Sequence, residues 1–145
     1  MRVSHTVLRV LSAATWYVGG LMLLFKGGGY LAGAAASGAT LPAALAGGLG
    51  VTAGVLRGRT MFLRACRRNL ARIDALERPR VWQFFRPGFF AALVLMIAAG
   101  ALLSRVAGSG YWPAVVVGGL ELVIATALLS SSTPFWGWSE AQAAR

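Results

Sequence analysis

Residues 113–129 have the sequence PAVVVGGLELVIATALL, in which Glu121 is the sole charged residue. A helix that crosses a bilayer needs about 20 mainly apolar residues, and about 17 is the lower end of the range. Three further stretches of this kind occupy residues 10–36, 41–56 and 87–103. Because lipid offers no partners for backbone amides, such stretches must form helices. The sequence therefore predicts an all-α, polytopic membrane protein with four transmembrane helices.

The composition points to the same class of protein. The chain of 145 residues is 57% hydrophobic and 12% charged, whereas soluble domains are about 25% charged. Its 14 Lys and Arg residues against 4 Asp and Glu residues give a net charge of +10. An ordinary water-soluble fold is therefore not expected, and most of the basic residues should lie outside the lipid.

The arginines indicate how the chain is oriented. Nine of them lie in residues 57–86, whereas the turn at residues 37–40 has no charge. The positive-inside rule places the arginine-rich segment in the cytoplasm. We predict one domain with transmembrane helices at 10–36, 39–57, 87–106 and 112–131, a basic cytoplasmic segment at 58–86 and a cytoplasmic tail at 132–145. Both termini are then cytoplasmic, as in a multi-pass protein of a bacterial-type inner membrane.

The beginning of the chain has an alternative interpretation as a cleaved secretory signal, since Arg2 and Arg9 accompany an apolar run at 10–25 and small residues follow this run at 34–36. The bulky Trp16 and Tyr17 and the charged Lys26 argue against cleavage. Trp16 and Tyr17 also lie too far into the helix for an aromatic belt at the membrane interface. We expect them to face other helices.

The chain carries a weak internal repeat. An offset of 71 positions pairs residues 21–56 with residues 92–127, and nine of the 36 pairs are identical. The two returning helices begin alike, at Pro42 and Pro113, and proline suits the first turn of a helix. We interpret the repeat as two like-oriented helical hairpins related by an approximate axis along the membrane normal. The alternative is two unrelated hairpins with shared preferences for helix starts and packing.

Small residues at a spacing of four indicate where helices touch, because they let backbones approach closely in lipid. Two helices carry such a ridge: Ala46, Gly50, Gly54 and Gly58 on the second, and Gly100, Ser104 and Gly108 on the third. We expect both ridges to pack within the chain. A dimer interface is the alternative.

Two charged residues fall within the predicted hydrocarbon region. Glu121 lies about 12 Å along the fourth helix from Pro113, near the bilayer centre, and Lys26 lies roughly 25 Å along the first helix from Arg9. A charge at such depth costs about 2.5 to 3.5 kcal/mol and normally faces a partner or a water-filled cavity. We predict an intramembrane charge pair of Lys26 with Glu121, for which Arg105 is the second candidate partner.

Two roles are open for this pair. It is either a structural pin that fixes helix register, or a site where Glu121 binds protons and couples proton or cation movement to a substrate. The repeat adds a geometric expectation. If the first and fourth helices meet in the same way as the third and second, Lys26 faces Glu121 and Ile97 meets Gly50.

The arginine-rich segment is predicted to form a basic amphipathic helix, because apolar and basic residues fall on opposite sides of a helical projection. The apolar side has Phe62, Leu63, Cys66, Leu70, Ile73 and Leu76, and the basic side has Arg64, Arg67, Arg68, Arg72 and Arg78. We expect this helix to lie on the inner leaflet and face anionic phospholipid headgroups. A pure topology signal and a docking surface for an acidic protein are the alternatives. Nucleic acid is not expected, because few aromatic residues are present for base stacking.

Catalytic motifs are not recognisable. His5 is the only histidine and Cys66 the only cysteine, so one chain cannot assemble a Cys/His zinc site, a bis-histidine haem or a disulfide. We expect no catalytic residues, metal ligands or cofactors. The preferred function is a membrane scaffold or accessory subunit that acts through helix contacts and its basic face, in a homo-oligomer or with another membrane subunit. The alternative is a small oligomeric transporter or channel component that uses Glu121 with Lys26.

Overall fold

A computed structural model describes residues 4–76, residue 80 and residues 87–135, without the side chains of 87–93 and 96. About nine-tenths of these residues are helical and none lies in a β-strand, which confirms the all-α prediction for this part of the chain. The helices are α1 (His5–Ala36), α2 (Thr40–Arg57), α3 (Leu63–Asp74), α4 (Pro87–Ala107) and α5 (Tyr111–Ser130). A π-helical turn, Gly58–Phe62, joins α2 to α3, and a 3-10 turn, Thr133–Phe135, follows α5.

Three helical stretches are long and apolar enough to cross a membrane, namely α1, the continuous helix from α2 to α3, and α5 with the turn that follows it. By their length and composition they indicate a membrane protein. The fourth predicted span coincides with α4. Its apolar part with described side chains, Ile97–Ala107, is shorter than a crossing. The fourth crossing therefore stays a prediction.

The first helix begins before the apolar stretch starts. Ser4 caps α1 by accepting a hydrogen bond from the backbone N–H of Val7, and the helix starts at His5. Its first turns continue the helix because α3 packs against them. At the other end of α1, Gly38 has φ 95°, a conformation that glycine adopts without strain, and this turn leads into α2.

The centre of the fold is α5, which packs against both α1 and α2, while α4 packs on α5. Its buried residues are Ala114, Val115, Val117, Gly118, Glu121, Leu122, Ala125, Ala127 and Leu128. Large apolar side chains of α1 and α2, such as Phe25, Leu41 and Leu49, point away from the bundle and are at least 70% exposed. Such a surface suits lipid and not water.

The glycine ridge of α2 lies in contact with α5. The carbonyl oxygens of Gly119, Val123 and Ala127 lie 2.9, 2.5 and 2.6 Å from Cβ atoms built on Gly50, Gly54 and Gly58, respectively. Real Cβ atoms are essentially never found under 3.0 Å from another heavy atom. Each of the three positions therefore needs glycine for the two backbones to approach this closely.

The ridge on α4 is arranged differently. Among the described residues, a Cβ on Gly100 would meet no atom within 4 Å, and one on Gly108 would be nearest to carbonyl oxygens of its own segment. The Ser104 hydroxyl donates a hydrogen bond to the Gly100 carbonyl at 2.7 Å. Among the described residues, Cβ atoms on Gly100 and Gly108 would thus meet no atom of a second helix within 4 Å, in contrast to the ridge of α2.

The pairing of Gly50 with Ile97, expected from the repeat, is wrong. Gly50 packs against Gly119 of α5, and Ile97 is 64% exposed. The physical reason is that α5 carries small residues on two sides, with Gly118 toward α1 and Gly119 toward α2. Both helices of the first hairpin therefore pack on α5. The repeat and its axis stay predictions from the sequence.

Candidate functional site

The middle of the bundle holds a buried ion pair. Lys26 Nζ lies 2.9 Å from Glu121 Oε1, and the two side chains are 30% and 5% exposed. Glu121 stands near the middle of the 20-residue helix α5, so its charge lies near the centre of the bilayer if α5 spans it. The structure thus brings together the two charges that the sequence predicts to lie within the membrane.

A close approach of two backbones positions this pair. A Cβ on Gly27 would lie 2.9 Å from the Gly118 carbonyl oxygen, and a Cβ on Gly118 would lie 2.9 Å from the Gly27 carbonyl oxygen. Lys26 directly precedes the first glycine, and Glu121 lies one turn after the second. The absence of both side chains therefore lets α1 approach α5 closely enough for the lysine to reach the carboxylate.

Lys26 also reaches α4 and its own helix. Its ammonium group donates a hydrogen bond to the Gly100 carbonyl at 3.3 Å and lies 5.8 Å from the centre of the Tyr30 ring. Arg105, the second candidate partner, is exposed near the end of α4. The two ion pairs in the described part of the chain, Arg9 with Asp74 and Lys26 with Glu121, do not include it.

The Glu121 carboxylate is incompletely satisfied. Both oxygens are buried and neither has a hydrogen-bond partner among the described residues, although Oε1 faces the lysine. Leaving a buried acceptor without a hydrogen bond costs about 1 to 3 kcal/mol, more for a charged group. The free oxygen can chemically accept a proton or bind a small cation.

The start of α1 and the helix α3 extend together beyond the end of α5. Ser131, directly after α5, accepts a hydrogen bond from Trp16 Nε1 at 3.0 Å, so the part of α1 that precedes Trp16 extends about 16 Å past this level. It packs against α3. We call residues 5–16 together with α3 the stem.

The stem has a tightly packed interior. Its most deeply buried side chains, each 2% exposed or less, are Leu8, Ser12, Cys66, Leu70 and Ile73. Three of them are apolar-side residues predicted to rest on the inner leaflet. The structure differs from that expectation, because α3 continues α2 through the π-helical turn and packs this side against α1. Protein covers Cys66, Leu70 and Ile73, so these side chains are not available to enter lipid.

The arginines occupy the outer side of the stem. Arg64, Arg67 and Arg68 are exposed and Arg72 is partly buried, whereas the predicted Arg78 lies outside the described residues. Arg67 and Arg68 follow Arg64 by three and four positions, so the three side chains share one helix face. We call these three residues the arginine face. Because the opposite side is packed, the face is held in a fixed position.

Polar contacts that sequence reasoning missed fix the stem. Arg9 pairs with Asp74, and Asn69 Nδ2 donates a hydrogen bond to Ser12 Oγ at 3.3 Å. His5 Nε2 lies 2.9 Å from the Leu76 carbonyl oxygen. The sequence feature that could have indicated such a contact is Asp74, an acidic residue in a basic segment that lies one turn after the buried Leu70. The sequence contained no indication that α1 would be its partner.

Aromatic side chains close the boundary between stem and bundle. Trp16 packs edge to face against Phe62 and Phe135, with ring centres 6.2 and 6.3 Å apart. The Tyr17 hydroxyl donates to Ser132 Oγ at 2.9 Å. Trp16 and Tyr17 thus face other helices, as predicted, and they do so at the level where α5 ends.

Cys66 is buried within the stem. Burial raises the pKa of its thiol from 9.0 to about 12, although the neighbouring Arg67 acts in the opposite direction. The thiolate is the reactive form, so the folded protein should react slowly with thiol reagents near neutral pH. Unfolding exposes the thiol and restores its ordinary pKa. Cys66 accessibility is therefore a direct readout of stem folding.

The described residues contain no group of three or more His, Cys, Asp and Glu side chains that could hold a metal ion. Comparisons of the chain with protein-family models, with curated proteins and with solved structures found no match. A functional assignment therefore depends on the ion pair and the stem.

Proposed function

We propose that this chain is a non-enzymatic scaffold or accessory subunit of a bacterial-type inner membrane, with both termini in the cytoplasm. The observation that carries the proposal is the arginine face, which is exposed on one side of the stem while the other side is packed. A rigid basic surface fixed to a bundle of apolar helices is suited to binding and positioning.

Packing of the bundle supports a scaffold over a conduit. The backbones of Gly27 and Gly118 are in contact, and the α2 ridge is in contact with α5 in the same way. Such contacts leave no room for a water-filled passage between these pairs of helices. Exposed apolar side chains of α4, such as Leu95 and Leu102, would face lipid, a second copy or another membrane subunit.

Anionic phospholipid headgroups are the proposed ligands of the basic surface. Arg57 and Arg59 are exposed at the base of the stem, the level at which Trp16 and Tyr17 meet the end of α5. The arginine face begins less than two turns further along the same helix. Each basic residue near an anionic membrane surface contributes about 1 kcal/mol of attraction. Long arginine side chains can reach back to the headgroups from this height.

Neutralising the arginine face tests this proposal. In full-length protein equilibrated with mixed phosphatidylglycerol and phosphatidylcholine micelles, the combined change Arg64→Gln, Arg67→Gln and Arg68→Gln should lower the preference of the bound lipid for phosphatidylglycerol by about tenfold or more. The matched control replaces the same three residues by lysine, which keeps the charge, and should retain the preference. An unchanged preference in the glutamine variant would contradict headgroup binding.

A second candidate function is a small transporter or channel component, and the partnerless Glu121 Oε2 favours it. A carboxylate near the bilayer centre with one unsatisfied oxygen is a typical proton or cation site. The transporter function can be tested by measuring proton flux into liposomes with an enclosed pH-sensitive dye. A scaffold predicts no flux above empty liposomes for the wild-type chain or for Glu121→Gln. Flux in the wild type that Glu121→Gln abolishes would establish the second candidate instead.

A further inference from the structure

A groove opens at the end of the bundle opposite the stem. It has a volume of about 370 Å³ and lies between the last turns of α1, the end of α4 and the start of α5. Its walls include Gly29, Tyr30 and Gly33 from one side and Ala107, Gly108 and Tyr111 from the other. We call it the far-end groove. The volume is within the range of small-molecule sites in proteins, about 300 to 1,000 Å³.

Two glycines of α1 line this groove. Gly29 and Gly33 lie one turn apart on α1, and a Cβ built on either would meet no atom within 4 Å. These two glycines are therefore not required for close helix packing, in contrast to Gly27, which touches α5. Their effect is to leave the wall of α1 recessed toward the groove.

The depth of the groove matches the region where acyl chains meet headgroups. Gly29 and Gly33 lie within two turns of the end of α1, and Tyr111 is the first residue of α5. Tyrosine rings prefer this interfacial depth. Because several wall residues are exposed, the groove is open to the surrounding lipid.

The far end carries one isolated positive charge. No charged residue occurs between Lys26 and Arg57, and Arg105 is the sole charged residue between Arg86 and Glu121. Arg105 is exposed and lies one turn before Gly108, a wall residue of the groove. An arginine at this end runs against the charge bias that concentrates basic residues at the stem.

We propose that the far-end groove binds one acyl chain of an anionic phospholipid from the adjacent leaflet, with the phosphate beside Arg105. The recessed apolar wall accommodates the chain, and the guanidinium supplies the donors that a phosphate prefers. Charge complementarity thus selects an anionic lipid, and a neutral lipid would lose that contact. This site is separate from the stem and does not depend on the proposed function.

The test uses full-length protein in which the exposed stem arginines are neutralised by Arg57→Gln, Arg59→Gln, Arg64→Gln, Arg67→Gln and Arg68→Gln, so that binding to these residues does not contribute. Native mass spectrometry counts phosphatidylglycerol and phosphatidylcholine of identical acyl chains bound per protein. Gly33→Leu fills the groove, and excluding two or more methylene groups should weaken phosphatidylglycerol binding by about tenfold. Gly48→Leu is the matched control, because a Cβ there also meets nothing within 4 Å.

Arg105→Gln separates headgroup recognition from simple filling by an acyl chain. This variant should still bind lipid, but its preference for phosphatidylglycerol over phosphatidylcholine should fall clearly below that of the matched protein with Arg105. Slow reaction of Cys66 with thiol reagents verifies that each variant is folded. Equal binding by Gly33→Leu and Gly48→Leu would overturn the groove, and a retained preference in Arg105→Gln would overturn the phosphate contact. A second copy of the chain in place of lipid would appear as a dimer without bound lipid and would also overturn the proposal.

Discussion

Replacing Gly54 by valine is expected to destabilise the folded bundle by about 3 kcal/mol, the upper part of the usual range for overpacking a close contact. A Cβ at this position would lie 2.5 Å from the Val123 carbonyl oxygen and would collide with the Thr126 side chain. The carbonyl belongs to the backbone of α5 and cannot move without shifting that helix. Because α5 contacts every long helix of the bundle, the displacement would spread beyond α2.

Unfolding by sodium dodecyl sulfate in mixed micelles measures this effect, with Cys66 accessibility as the readout. Gly48→Val is the control, since it makes the same chemical change on the same helix where a Cβ meets nothing within 4 Å. We expect the control to unfold at nearly the same sodium dodecyl sulfate concentration as the wild type. Equal stability of the two variants would contradict the contact between α2 and α5.

Lys26→Met is expected to cost about 3 kcal/mol, because it leaves a buried carboxylate without its counter-charge. Breaking a buried pair from one side typically costs about 3 to 5 kcal/mol, and the lower end applies here because Lys26 is 30% exposed. Glu121 has no hydrogen-bond partner among the described residues to replace the lysine. The variant also loses the hydrogen bond from Lys26 to the Gly100 carbonyl, so the contact with α4 should loosen as well.

The double variant Lys26→Met with Glu121→Leu distinguishes a structural pair from a general loss of packing. Replacing both charges by apolar side chains of similar size removes the unpaired carboxylate, so stability should return to within about 1 kcal/mol of the wild type or exceed it. The same mixed-micelle unfolding experiment provides the comparison. A double variant that is no more stable than Lys26→Met would show that the ion pair is not the source of the effect.

The helical fold and the buried charges could be anticipated because each depends on a property of one segment. An apolar stretch in lipid has to form a helix, and the position of Glu121 along such a stretch fixes its depth. The start of α1 could not be predicted in the same way. Hydropathy places it at residue 10, whereas the helix begins at His5 because α3, remote in sequence, supplies a packing partner.

Which helices pack against each other could not be predicted from the sequence, for a related reason. The repeat alone predicts that Gly50 meets Ile97, but the contacts depend on which helix has small residues on two sides. Gly118 and Gly119 are neighbours on α5, and one faces α1 while the other faces α2. The partner of the apolar side of α3 could not be predicted either. An amphipathic pattern shows that this side is covered, but it does not show whether lipid or another helix covers it.

We propose that the bundle crosses the membrane with its stem in the cytoplasm. Labelling of introduced cysteines in intact bacterial cells tests it most directly, because native Cys66 is 1% exposed and contributes little background. Ser109→Cys places a thiol in the exposed turn at the far end, and Arg68→Cys places one on the exposed side of the stem. A membrane-impermeant maleimide should label Ser109→Cys in intact cells and Arg68→Cys only after the membrane is permeabilised. Labelling of Arg68→Cys from outside intact cells would contradict the account.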